Sequence, residues 1–213
     1  MFRVRLMFSK SGTLRYIGHL DFLRVFQQTI RRAGLPAAFS QGFNPHLLIS
    51  FALPLPLGME SVNDYADITL ENEVCFTEIV DRLNSVAPDG LLIKRAYNAE
   101  NKAASVVKRA DYYVRLNDKL EGLKDKLSEI MGQKEIIVAK KSKKGIRDTD
   151  IRVDLFDANI SGDDLFLNLS AGSDRFLNPL VVAGLIFDEP CSAIDIRRAE
   201  LYYENEQGNM VTL

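Results

Sequence analysis

The sequence predicts an α+β protein made of two tandem ferredoxin-like (βαββαβ) domains, each with an antiparallel sheet and both helices on one face. Three observations carry that expectation. The chain has 213 residues, enough for two compact units of roughly a hundred residues each. Its hydrophobic periodicity follows the order β-α-β-β-α-β over the first hundred residues and repeats that order over the remainder. Between the halves, NAENKAASVVKR at 98–109 is polar and has no strong period, which places the domains at 1–100 and 110–213.

FRVRLMFS alternates, with Phe2, Val4, Leu6 and Phe8 on one side and Arg3, Arg5 and Met7 on the other, as a half-buried strand at 2–9 requires. Residues 18–34 carry Phe22, Phe26, Ile30 and Ala33 on one helical stripe, joined by Leu23, with Arg24, Gln28, Arg31 and Arg32 opposite. Gly34 and Pro36 end that helix. HLLISFALPLP and YADITL read as extended segments separated by the turn residues of LGMESVND. FTEIVDRLNSVA places Phe76, Ile79, Val80 and Leu83 at helical spacing, and GLLIKRAYN returns as a strand. In the second half, YYVRL, EIIVAKK, DIRVDLFDANI, DLFLNLSAG and IDIRRAELYYE read as extended, while LEGLKDKLSEIM and LNPLVVAGLIF read as helices.

Hydrophobic residues make up 46% and charged residues 26% of the chain, which excludes a disordered or collagenous protein. No apolar run approaches the roughly 18–20 residues a bilayer span needs, and MFRVRLMFSK has charges where a signal peptide needs an apolar core. These features predict a cytoplasmic protein with no membrane contact. Cys75 and Cys191 have no Cys or His at metal-ligand spacing and are expected to be reduced and structural. No metal is expected.

Charge is unevenly distributed. Residues 1–58 hold seven basic residues against one acid, whereas residues 59–90 hold eight acids against one base. A second basic island, AKKSKKGIR, contains Lys140, Lys141, Lys143, Lys144 and Arg147. The first segment is expected to face a polyanion. The second reads either as a solvated hairpin with Gly145 at its turn or as a phosphate-tracking ribbon.

Both histidines fall in 11–58. His19 lies on the apolar stripe near a helix start, so it reads either as a packed core histidine or as a candidate acid–base group beside backbone N–H donors. His46 belongs to SQGFNPH, where Ser40, Gln41, Asn44 and His46 bring donors together around a turn. That loop serves either ligand binding or simple loop closure. In SDRFLNPL, Asp174 or Asn178 with Pro179 reads as a helix start. Phosphate-loop, dinucleotide and serine-nucleophile motifs are lacking.

RLMFSKSGTLRYIGHLD, RRAGLPAAFSQGFNPH, ISFALPLPLGMES, KKSKKGIRDTDIR and the FLNP segment together resemble the bacterial family of radical-SAM-linked proteins, over nearly the whole chain. Gly18 stands where serine is common in that family, Leu47 and Leu48 replace a proline and a basic residue, and Asn178 replaces an arginine. The resemblance implies a radical S-adenosylmethionine protein as partner. It assigns the iron–sulfur cluster and S-adenosylmethionine to that partner and no cofactor to this chain. The tandem architecture also resembles the repeat-processing RNA endonucleases of CRISPR systems, at the level of fold alone.

Three functions follow as expectations. The first is a noncatalytic accessory protein that binds structured RNA, tRNA or rRNA, and presents it for modification. Its contacts would come from Lys10, Arg15, Arg31, Ser40, Gln41, Asn44, His46, Lys141, Lys143, Lys144 and Arg147. The second is a metal-independent RNA endonuclease using His19 or His46, with Arg15 or Lys10 steadying phosphorane charge. The third is a protein-docking module that presents Phe43, Leu47 and ALPLPL to the radical-SAM partner without nucleic acid.

Overall fold

The computed structural model describes residues 1–100, 106–116, 122–142, 145–187 and 195–213, with the backbone alone at 140–142 and 146. The first half comprises β1 (Phe2–Lys10), a 3-10 turn (Gly12–Tyr16), α1 (His19–Arg32), β2 (Ile49–Phe51), β3 (Glu60–Leu70), α2 (Phe76–Asn84) and β4 (Leu91–Asn98). The second comprises β5 (Val107–Arg115), α3 (Leu123–Gly132), β6 (Ile137–Ser142), β7 (Gly145–Asp150), β8 (Leu155–Ser161), β9 (Asp164–Ser170), α4 (Pro179–Phe187), β10 (Ile196–Glu204) and β11 (Met210–Thr212).

The chain is α+β, with four helices among the described residues and a largely antiparallel sheet. Instead of two separate sheets, a single nine-stranded sheet runs β4-β1-β3-β10-β5-β9-β8, with β2 on β3 and β11 on β10. Its one parallel pairing among the described strands is β3 with β10, Glu60 and Ser61 lying opposite Arg197 and Arg198. The junction has a local cause. Of the apolar run 46–56, β2 pairs only at Ile49, Ser50 and Phe51, opposite Ile68, Asp67 and Ala66. Pro54 and Pro56 lack the N–H that would continue the ladder. The first residues of β3 therefore keep an unpaired edge, which β10 occupies.

Two apolar clusters fill the protein. In the first, Val4, Leu6 and Phe8 of β1 meet Phe22, Phe26 and Ile30 of α1, with Ile79 and Leu83 of α2 and Ile68 and Leu70 of β3. Phe8, Phe22, Phe26 and Phe51 form its centre, their ring centroids 5.2 to 6.0 Å apart. The second packs Ala110, Tyr112, Val114, Leu165, Leu167 and Leu169 against Leu127 and Ile130 of α3 and Val182, Ala183 and Ile186 of α4. Leu55 and Met59, from the segment after β2, also enter the second cluster and so bind the two halves together.

The helix ends follow from side-chain chemistry. Arg82 of α2 donates through Nε to Ala33 O at 2.9 Å and through a terminal nitrogen to Gly34 O, closing the carbonyl end of α1. Asn178 accepts from Leu180 N at 3.0 Å with Pro179 opening α4, the capping arrangement expected from its sequence. β6 and β7 form a two-stranded sheet of their own between α3 and β8.

Candidate functional site

Five of the seven N-terminal basic residues expected to face a polyanion are turned to partners within the fold. Arg3 donates to the carbonyls of Ala99 and Glu100, and Arg5 pairs with Asp67 at 2.8 Å with both side chains buried. Arg15 bonds Gly58 O at 2.8 Å and pairs with Asp195 at 2.7 Å and Glu60 at 3.6 Å. Arg24 pairs with Asp21 one helical turn earlier. Lys10 is only 1% exposed; its ammonium donates to Ile17 O at 3.3 Å and lies 4.7 Å above the Phe22 ring. Arg31 and Arg32, at the end of α1, remain exposed. The positive segment is therefore chiefly an internal scaffold, because Arg5 pairs with Asp67 of β3, Arg15 with Glu60 and Asp195, and Arg3 and Lys10 with backbone carbonyls.

Lys10 belongs to a polar centre where the halves meet. Phe8 pairs with Asp64, while Ser61 lies opposite both Lys10 and Arg198, so the register places these side chains together. Arg198, wholly buried, donates to Asp64 at 2.7 Å and to Leu53 O at 2.8 Å. Asp64 is thus ion-paired with Arg198 and lies close enough to Lys10 to act on its charge. Burial pulls the Lys10 ammonium below its ordinary range, with Arg198 adding to the effect and Asp64 opposing it. Around Lys10 and Asp64 a cavity of about 10 Å³, lined also by His19, Phe22 and Phe51, has room for about one water.

His19 is exposed, edge-on to Phe51 with ring centroids 5.5 Å apart, rather than packed in the core. Position rather than pattern decides this: residue 19 opens α1, where the stripe reaches the rim of the sheet. His46 closes a loop. Its Nδ1 lies 2.9 Å from Ser40 Oγ, its N–H donates to the same oxygen at 3.1 Å, and Ser40 N donates to His46 O at 2.8 Å. Gln41, Phe43 and Asn44 are exposed on that loop. The two histidines do not meet. Phe51, which carries His19, pairs with Ala66, whereas the stem of the loop pairs at Thr69 and Leu70, roughly 10–15 Å further along β3. Arg31, Arg32 and the 40–46 loop share that far end.

The second basic island forms the β6–β7 hairpin. Lys140 lies opposite Arg147 and Lys141 opposite Ile146. Arg147 is exposed, and Lys143 and Lys144 lie outside the described residues. The base of the hairpin is tied down. Asp150 accepts the N–H groups of Ile136 and Arg152, each at 2.9 Å, which hold its carboxyl below the usual carboxylate range. Val138 is buried in the second cluster.

Of the residues expected to dock a protein, Phe43 is fully exposed, but Leu47 and Leu55 are core residues. Cys75 is a free, exposed thiol, held below its ordinary pKa by the Thr77 hydroxyl and by backbone N–H groups at the start of α2. Cys191 lies outside the described residues. Among the described residues no cluster of His, Cys, Asp and Glu is arranged to hold a metal, and no helix is long and apolar enough to cross a membrane.

An α+β protein with a continuous sheet, an internal ionic scaffold and a separate basic hairpin is the class these features define. The chain belongs to the family described as "Uncharacterized protein conserved in bacteria (DUF2344)", which matches residues 3–179. No curated protein matches it. Among solved structures it is similar to an unknown protein from Galdieria sulphuraria, 16% identical over 92% of this chain and 96% of that one, with a TM-score of 0.28. It is also similar to a putative glycine cleavage system transcriptional repressor, 14% identical over 100% and 98% of the two chains, with a TM-score of 0.26. Likenesses this loose carry no argument about fold or function.

Proposed function

We propose that this protein is a cytoplasmic accessory to a radical S-adenosylmethionine enzyme that binds structured RNA, tRNA or rRNA, and presents it for modification. The cluster and S-adenosylmethionine reside in the partner, as the family resemblance implies. In this reading the halves are two ferredoxin-like domains. The strand order β4-β1-β3-β2 in the first and β10-β5-β9-β8 in the second supports that assignment.

The observation that carries the RNA reading is the β6–β7 ribbon. It forms a two-stranded sheet outside the main one, with Lys140 opposite Arg147 in the backbone register and Arg147 exposed, in a segment whose sequence also holds Lys141, Lys143 and Lys144. Such a ribbon suits a phosphate backbone, which is followed by charge rather than by shape-matched pockets. Arg31 and Arg32 beside the donor-rich 40–46 loop make a second, smaller contact. Lys10 and Arg15 act in the scaffold behind these surfaces.

The test mixes the purified chain with tRNA and rRNA fragments, alone and with the radical-SAM protein. A saturable, salt-sensitive complex that retains the partner and returns the RNA intact is expected. Specific cleavage would replace this reading with the nuclease. A complex with the partner that excludes RNA would replace it with the docking module.

A further inference from the structure

At the foot of the basic hairpin lies a cavity of about 340 Å³, within the size range of small-ligand sites. We infer that it receives a single unstacked nucleotide of the RNA held by the hairpin; this rests on the RNA reading above. The cavity sits where β5 begins and β9 ends, and Val153, three residues beyond the hairpin's last residue, forms part of its wall.

Its chemistry is mixed in the way a nucleotide requires. The Arg109 guanidinium lies 3.6 Å from the centre of the Phe156 ring, a cation–aromatic pair whose two groups are both able to stack on bases. The Arg109 guanidinium makes no hydrogen bond or ion pair with any described residue, so its N–H edge is free for a phosphate oxygen. The neighbouring cations are already engaged, Lys108 with Asp174 at 3.2 Å and Arg175 with Asp154 at 2.9 Å. Glu204 supplies a carboxylate for a base amino group.

The apolar side of the cavity is unusually open. Val153 is 54% and Phe156 38% exposed, although both adjoin a core that could have buried them. A bulge in β8 between Leu155 and Asp157 accounts for Phe156: Leu155 faces the core and the next side chain is thrown outward over Arg109. Gly172 sits at φ +151°, and a Cβ there would collide with the Val107 carbonyl, so the cavity floor cannot carry a side chain without shifting. The main sheet provides a rigid platform, and the adjoining hairpin supplies phosphate contacts. Together they recognise an unpaired nucleotide flanked by backbone.

The experiment compares a stem–loop oligoribonucleotide with a fully paired RNA duplex of equal length, using the full chain, the R109Q/F156L variant and the K140Q/K141Q/R147Q variant. Loss of the cavity contacts is expected to weaken stem–loop binding about tenfold and leave duplex binding unchanged. Loss of the hairpin charges is expected to weaken both. Equal stem–loop affinity in R109Q/F156L and wild type, with the hairpin variant weakened, would overturn the cavity assignment and leave the RNA reading standing. No binding of either RNA by wild type would overturn both. Binding of a free nucleoside 5′-monophosphate as tight as that of the stem–loop would assign the cavity to a small ligand and also overturn the inference. Unchanged circular dichroism of the variants checks that a loss of binding reports lost contacts and not an altered fold.

Discussion

Replacing Asp64 by Asn removes the carboxylate paired with buried Arg198, and the negative charge nearest buried Lys10, at the junction of the halves. Arg198 has no exposed surface and Lys10 1%, so neither can recover hydration without opening the fold. Arg198 would keep its bonds to the Leu53 and Pro54 carbonyls but lose its charged partner at 2.7 Å. Breaking a buried pair from one side costs about 3–5 kcal/mol. For a chain of this length, that corresponds to a fall in Tm of roughly 6–20 °C. Urea denaturation followed by circular dichroism measures the loss directly. The double variant D64N/R198M removes the stranded guanidinium and is expected to regain part of that loss. A D64N variant within about 1 kcal/mol of wild type would show that the junction is not held by this pair.

Three further outcomes follow from the same geometry. Stability is expected to rise with pH toward about 10 and then fall. The rise comes from Lys10, whose folded form releases its proton below the ordinary value near 10.5 while the unfolded form still holds it. The fall comes from buried tyrosines: burial pushes the Tyr97 phenol up to about 12, so its share of the stability, whole below pH 10, is lost between there and 12, and Tyr65, Tyr112 and Tyr202 are raised as well. A pH series of urea midpoints should show Lys10→Met flattening the rise and Tyr97→Phe reducing the fall, and a flat wild-type profile would contradict both. Gly90→Ala should destabilise by about 2 kcal/mol or more, because φ is +89° and the new Cβ would run into the Ser11 carbonyl; thermal melting checks this. Arg82→Ala uncaps the carbonyl end of α1 and should cost about 1–2 kcal/mol, with faster amide exchange confined to residues near Ala33 and Gly34.

The elements were largely legible from local periodicity. Phe22, Phe26 and Ile30 fall on a stripe that is the core face of α1, and Ile79 and Leu83 do the same for α2. The boundaries that moved did so for long-range reasons. β2 shrank to three residues, and β11 forms only because β10 offers it an edge at 202–204. Arg5 reads as an outward residue in an alternating strand, yet it is buried against Asp67, sixty-two residues away in sequence. The same holds for Lys10 and Arg198, which strand register alone brings near Asp64. Charge counting along 1–58 therefore saw a polyanion surface where the fold builds an ionic scaffold. The cavity beneath the hairpin was invisible for a similar reason, since Arg109, Phe156 and Glu204 come from three strands. That the basic island forms a paired hairpin was legible, and the structure puts Gly145 in β7, opposite Ser142.

The most direct test of the account is the salt dependence of RNA affinity for wild type and for K140Q/K141Q/R147Q. The account predicts that wild-type affinity falls steeply with salt and that the variant's slope is shallower by about one for each hairpin cation in contact with phosphate. Identical slopes in the two proteins would contradict it.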